Sequence, residues 1–103
     1  MKTIISTTKA PSAIGPYNQA TAFDKLIFTS GQIALDPATM EIVSGEVQEQ
    51  TKQVMENLKA VLEEAGSSFE NVLKTTCYLS DMDNFVAFNE IYGQYFKGET
   101  APA

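Results

Sequence analysis

The stretch that decides the fold is "GEVQEQTKQVMENLKAVLEEAG", from Gly45 to Gly66. Its apolar residues recur at intervals of three, four and seven, the spacing of an amphipathic helix, at Val47, Val54, Met55, Leu58, Val61, Leu62 and Ala65. Gly66 follows the last of them, where a glycine commonly ends a helix in the left-handed conformation. We therefore predict a helix over this stretch, with Ser44 as the residue that begins it.

The residues before this helix are typical of β-strands. Thr3-Ile4-Ile5 is a short β-prone start, and a loop carrying Pro11 and Pro16 leads to a strand from Tyr17 to about Ala22. "LIFTSGQIAL", residues 26–35, is rich in β-branched and aromatic residues, so it predicts the returning strand of a hairpin. An Asp-Pro pair then predicts a turn over residues 36–39.

The residues after the helix predict one more strand and one more helix. "NVLKTTCYL", residues 71–79, alternates along a strand, and the preceding helix allows it to pair parallel to an earlier strand through a right-handed crossover. Ser80 or Asp81 then caps a second helix that ends at Gly98, with an apolar stripe of Phe85, Phe88, Ile91, Tyr92, Tyr95 and Phe96. This order predicts an α+β fold, a sheet with two helices packed on one face.

The composition bounds the size and the partners of the protein. A chain of 103 residues has room for one domain. Seven lysines against thirteen acidic residues give a formal charge of −6, which disfavours nucleic acid as a partner. The chain contains no arginine, so it offers no planar bidentate partner for a carboxylate or a phosphate.

The cysteine and histidine content excludes several kinds of site. Cys77 is alone and the chain has no histidine, so we expect no intrachain disulfide, no metal site and no activated cysteine nucleophile. The first residues contain no apolar core of signal-peptide length, and no run of eighteen apolar residues occurs. We expect a cytoplasmic protein without a membrane partner.

Three places in the chain are candidates for chemistry. The pair Gly15-Pro16 builds a turn directly before the phenol of Tyr17, Ser30-Gly31 interrupts the second strand of the hairpin, and Asn89 lies among the aromatic residues of the second helix. Each also has an ordinary structural interpretation: a plain turn with a packing tyrosine, a β-bulge, and a capping or bridging amide.

Five segments, "AIGPY", "TSGQI", "NLKAVLEEAG", "VLKTTCYL" and "FNEIYGQYF", resemble in order and spacing those of the Rid or YjgF family. The resemblance runs from about residue 3 to Pro102. It implies a chorismate-mutase-like α+β fold that assembles as a compact homotrimer. In that assembly three sheets form a central barrel, helices pack outside it, and clefts lie between the subunits.

The resemblance is strongest to the RidA branch, which implies a deaminase that needs no cofactor or metal. Such a deaminase hydrolyses reactive 2-imino acids, 2-iminobutanoate and 2-iminopropanoate, or their enamine tautomers, to 2-oxo acids and ammonia. By the same resemblance, Tyr17 and Asn89 are expected to be catalytic, and Ser30 and Gly31 to bind substrate. The alternative is a non-catalytic trimeric binder or regulator, of the kind associated with purine regulation or translation inhibition.

The resemblance also implies two functional residues after the "PA" pair of the family. There an arginine grips the substrate carboxylate and a later strand carries a glutamate that orients water, whereas this sequence stops at Ala101-Pro102-Ala103. We therefore expect a single Rid-family domain over residues 1–103 that is truncated at its C-terminus and lacks the last strands. A complete protein of roughly 125 residues would be competent, and the 103-residue chain would not.

Overall fold

The computed structural model describes all residues, 1–103. Three strands form one antiparallel sheet in the order β1-β2-β3, and two α-helices follow. These elements are β1 Thr3–Ile5, β2 Ala20–Phe23, β3 Leu26–Thr29, α1 Val47–Glu64 and α2 Phe85–Tyr95. Short 3-10 turns lie at Phe69–Asn71, Met82–Asn84 and Gly98–Thr100. None of the helices combines the length and the apolar character that crossing a membrane requires.

The predicted hairpin is confirmed, but both of its strands are shorter than predicted. Asp24 takes a left-handed conformation, with φ of 54°, and turns the chain between β2 and β3. The ladder pairs Ala20 with Thr29 and ends one bond later, where the Ser30 amide donates to the Gln19 carbonyl at 2.9 Å. Residues 17–19 and 30–35 are therefore loops that flank the sheet rather than parts of it.

The core lies between the sheet and α1. One face of the sheet carries Ile5 and Ala20, which pack with Ala10 and the fully buried Val61 of α1. The opposite face exposes about half or more of each apolar side chain, at Ile4, Phe23, Leu26 and Phe28. The alternation of a strand explains this division, since successive residues point to opposite faces. The α+β fold is thus confirmed, with one sheet face covered by α1 and the other bare.

Local signals set both ends of α1. Gly66, with φ of 80°, allows Ser67 to donate to the Leu62 carbonyl at 2.8 Å, which confirms the predicted left-handed end. The predicted start at Ser44 is wrong, because Glu46 is the capping residue. Its amide donates to the Glu49 carboxylate at 3.1 Å, one half of a capping box. Gly45, with φ of 115°, turns the chain just before that cap.

The second helix lies beside the first. Asp81 caps the 3-10 turn that leads into it, accepting a hydrogen bond from the Asp83 amide at 2.9 Å. The helix ends at Tyr95 instead of at Gly98, because Phe96 is already extended. Two polar contacts join the helices: Tyr95 Oη donates to Glu56 at 2.7 Å, and Gln48 Nε2 donates to Glu90 at 3.0 Å.

Residues 72–79 form no strand, so the predicted strand over residues 71–79 and its parallel pairing with an earlier strand are not found. The only ladder-like bonds in this segment join it to Ala103, whose amide donates to the Leu73 carbonyl and whose carbonyl accepts from the Thr75 amide, both at 2.9 Å. A cavity of about 960 Å³ separates the segment from β3. No ladder hydrogen bond joins this segment to β3.

Candidate functional site

Tyr17 lies in the loop between β1 and β2, on a tight turn. Its amide donates to the Gly15 carbonyl at 2.8 Å, which confirms the predicted turn, and its side chain is 47% exposed. The phenol oxygen accepts a hydrogen bond from the Ile14 amide at 3.3 Å. Because that bond uses a lone pair of the oxygen, the hydroxyl proton stays free to be donated to a ligand.

Ser30 is held next to the same loop, at the end of β3. Its hydroxyl donates to the Asn18 carbonyl at 2.5 Å, and its amide donates to the Gln19 carbonyl at 2.9 Å. The Ser30 oxygen thus keeps lone pairs that can accept a hydrogen bond. The fold therefore connects Tyr17 and Ser30 through the two residues that directly follow Tyr17.

Gly31 follows Ser30 and borders open space. Outside residues 30–32, no atom lies within 4 Å of the position that a Cβ would take at Gly31, and the Gly31 backbone makes no hydrogen bond to another backbone group. Ser30 and Gly31 both line the 960 Å³ cavity, which is walled by β3, α1 and the extended segment 72–79. The carbonyl of Gly31 is consequently available to a polar group on a ligand.

Asn89 stands apart from the other three predicted site residues. It is exposed on α2, and neither Asn89 nor Tyr17 belongs to the lining of the cavity that Ser30 and Gly31 line. Within one copy of the chain, Tyr17 is connected to Ser30 only through the backbone of residues 18 and 19, and Asn89 lies on another element. The assignment of all four residues to one site stays a prediction.

A polar pair on the opposite wall of the cavity was missed by the sequence analysis. The hydroxyls of Thr75 and Tyr92 lie 2.5 Å apart. Burial raises the pKa of Tyr92 above its ordinary value, the Thr75 hydrogen bond opposes this rise, and the neighbouring Cys77 adds to it. Tyr92 therefore stays protonated at neutral pH and joins α2 to segment 72–79. The only available signal was its place in the apolar stripe of α2.

Two buried amides were also missed, Gln19 before β2 and Asn57 within α1. Asn57 lies on the apolar face of α1, three residues after Val54 and four before Val61, and each amide holds a loop next to the site through backbone carbonyls. A buried amide needs hydrogen-bond partners. Such a residue within an apolar face is a signal that sequence reasoning could have used.

Tyr95 gives the molecule a specific response to alkaline pH. Burial, then the hydrogen bond to Glu56 and the charge of that carboxylate, raise the pKa of Tyr95 from 10.0 to about 12. The protonated phenol is thus favoured in the folded state, and its stabilisation is complete below about pH 10. As the pH rises from about 10 to about 12, the unfolded chain loses this proton first and the stabilisation is lost.

We therefore expect the urea midpoint of the unsubstituted protein to fall more steeply between pH 9 and pH 11.5 than that of Tyr95→Phe. The variant lacks the phenol proton, so the difference between the two proteins isolates the contribution of Tyr95. Parallel pH dependences of the two proteins would show that Tyr95 is not protected by Glu56.

Comparison with known proteins places this geometry in a family. The family model described as Endoribonuclease L-PSP matches residues 7–103. A RutC family protein of Synechocystis is 59% identical over 101 residues, 97% of this chain and 78% of that protein. A mouse protein named 2-iminobutanoate/2-iminopropanoate deaminase is 51% identical over 98 residues, 95% of this chain and 73% of that protein.

The fold agrees with a solved structure of the same group. The crystal structure of Escherichia coli TdcF with bound serine has a TM-score of 0.89 and 40% identity, and the match covers 98% of this chain and 79% of that chain. Similarity of this kind extends through both helices and the sheet. The chain therefore belongs to the endoribonuclease L-PSP family, the Rid or YjgF family whose motifs its sequence carries.

Proposed function

We propose that this protein hydrolyses 2-imino acids, or their enamine tautomers, to 2-oxo acids and ammonia. The observation that carries the proposal is the placement of a free phenol proton on Tyr17 and free lone pairs on Ser30, joined through Asn18 and Gln19. The deaminase name of the mouse relative supports the same activity. Serine in TdcF supports a small amino-acid-like ligand.

The reaction requires little of the protein, because an imine carbon is already electrophilic. Water adds to that carbon while a proton goes to the nitrogen, and the tetrahedral carbinolamine forms. The hydroxyl proton of this intermediate then moves to the nitrogen, the C–N bond breaks, ammonia leaves, and the C=O bond of the 2-oxo acid forms. Held in a fixed geometry, water and imine react in an effectively unimolecular step.

Tyr17, Ser30 and Gly31 suit separate parts of this reaction. The Tyr17 hydroxyl can donate a proton or a hydrogen bond to a substrate atom, and the Ser30 oxygen and the Gly31 carbonyl can accept hydrogen bonds from the substrate nitrogen or from water. The open space at Gly31 leaves room for the substrate. Asn89 would have to reach this site from another copy of the chain.

A shared site implies self-association, and we propose a homotrimer as part of the function. The bare face of the sheet, with Ile4, Phe23, Leu26 and Phe28 exposed, supports this proposal, because exposed apolar patches are typical of interaction surfaces. Light scattering after size exclusion tests it: a particle of three chains is expected, and a monomer at assay concentration would contradict it. The cytoplasmic location stays a prediction.

The activity is tested by coupling the protein, at the length its gene encodes, to a threonine dehydratase acting on threonine. We expect 2-oxobutanoate to form faster than by spontaneous hydrolysis. A lack of acceleration would contradict the deaminase and favour the non-catalytic binder.

Substitution of Tyr17 by phenylalanine is expected to lower kcat/KM at least about ten-fold, since losing a hydrogen bond to a charged group costs about 1.5–3 kcal/mol. The fold should be retained because the side chain is exposed. Tyr95→Phe is the matched control: it removes the same hydroxyl between the helices, and its rate should stay within about two-fold of the unsubstituted rate. Equal rates for Tyr17→Phe and Tyr95→Phe would remove Tyr17 from the site.

A further inference from the structure

Gln19 has an unusual environment for a polar residue next to a strand. It is only 4% exposed, and its side chain makes four hydrogen bonds to the loop between β1 and β2. Oε1 accepts from the Thr7 amide at 2.6 Å. Nε2 donates to the carbonyls of Thr7 at 3.0 Å, Ala10 at 3.2 Å and Pro11 at 2.7 Å. Two amide hydrogens are thus shared among three acceptors.

These bonds replace the secondary structure that the loop lacks. Residues 6–19 contain no helix or strand, so their buried backbone groups need other partners. Gln19 supplies partners at Thr7, Ala10 and Pro11, and its backbone leads directly back to Asn18 and Tyr17. The side chain therefore ties the first half of the loop to the end that carries the phenol.

The backbone of the same residue fixes the second half of the candidate site. The Gln19 carbonyl accepts the Ser30 amide at 2.9 Å, and the neighbouring Asn18 carbonyl accepts the Ser30 hydroxyl at 2.5 Å. A displacement of Gln19 would consequently move Tyr17 and Ser30 together. No other residue has hydrogen bonds both to the 7–11 segment and to Ser30.

We propose that Gln19 is a positioning residue of this site, whose amide group sets the placement of Tyr17 and Ser30 relative to each other. This inference rests on the proposed function. The chemistry demands an amide, because one group must both accept from a backbone amide and donate to several carbonyls. An ionised carboxylate at the same place would face three carbonyl oxygens with no hydrogen to donate. A thioether of equal length would offer neither strong donor nor strong acceptor.

The test compares Gln19→Met and Gln19→Glu with the unsubstituted protein. Amide hydrogen exchange at Thr7 and Ser30 is measured under conditions where each protein is folded, and kcat/KM for 2-iminobutanoate is measured on the same samples. We expect exchange at Thr7 and Ser30 to rise at least about ten-fold and kcat/KM to fall at least about ten-fold in both variants. Tyr95→Phe, which removes the hydrogen bond to Glu56 between the helices and away from the cavity, serves as the control for general destabilisation.

A double-mutant cycle separates positioning from general destabilisation. If Gln19 acts through Tyr17, then Gln19→Met in the Tyr17→Phe background should lower kcat/KM by less than about three-fold further. Unchanged exchange at Thr7 and Ser30, or an additive loss in the double variant, would overturn the inference. If the unsubstituted protein fails to accelerate hydrolysis, the proposed function fails by itself, and the exchange rates alone decide whether Gln19 holds the loop and Ser30.

Discussion

Asn57→Leu is expected to lower the free energy of unfolding by about 2–4 kcal/mol, since each buried polar group left without a partner costs about 1–3 kcal/mol. Asn57 is 1% exposed. Its Nδ2 donates to the carbonyls of Leu35 at 2.8 Å and Ile33 at 3.3 Å, and its Oδ1 accepts from Gln53 at 2.8 Å. Leucine fills a similar volume, so the loss reports hydrogen bonds rather than a cavity.

A loss of this size is a large part of the total, because domains are typically stable by about 5–15 kcal/mol. Urea denaturation followed by circular dichroism measures it. Gln53→Ala is the matched control, because it removes the partner of Oδ1 but leaves the bonds to the two carbonyls. Gln53 is only half-buried, so we expect a loss below about 1 kcal/mol. Equal losses in the two variants would show that the bonds to residues 33 and 35 contribute nothing.

Gly45→Ala is expected to destabilise the protein by about 2–4 kcal/mol, from backbone strain and loss of the helix cap together. Gly45 has φ of 115°, a conformation that residues with a Cβ rarely adopt. A Cβ there would lie 2.8–2.9 Å from the Cβ, Cγ and Cδ atoms of Glu49. Glu49 cannot withdraw freely, because its carboxylate accepts the Glu46 amide at the start of α1.

The same substitution at Gly93 is the control. Gly93 lies within α2, its φ is not positive, and no atom lies within 4 Å of the place of a Cβ. Alanine is a better helix former than glycine, so Gly93→Ala should be stabilising by about 0.5–1 kcal/mol. Thermal unfolding of both variants measures the difference. A Gly45→Ala protein as stable as the unsubstituted one would mean that the turn before α1 can relax without loss of the cap.

The local backbone features of the candidate site were predictable, but their arrangement was not. The turn before Tyr17 and the break in the strand at Ser30 were visible in the sequence, because glycine and proline mark such places locally. The connection between them was not, since it depends on which carbonyls come near Gln19 in the folded chain.

By itself, the sequence determined the features that neighbouring residues decide among themselves. The period of α1, its left-handed end at Gly66, the hairpin, the Asp-Pro turn and the family membership were all predicted and are confirmed. A helix repeat or a turn is formed by residues at most a few positions apart, so the residues that produce these structures all lie within the local sequence pattern.

Only the tertiary structure decided whether residues 72–79 pair as a strand. Their alternation is typical of a strand, yet a strand is defined by a partner at hydrogen-bonding distance, and these residues have no such partner beside β3. The same reason explains the two missed amides and the shortened strands. Pairing and burial are properties of the neighbours that folding brings together, and no local pattern states which neighbours those are.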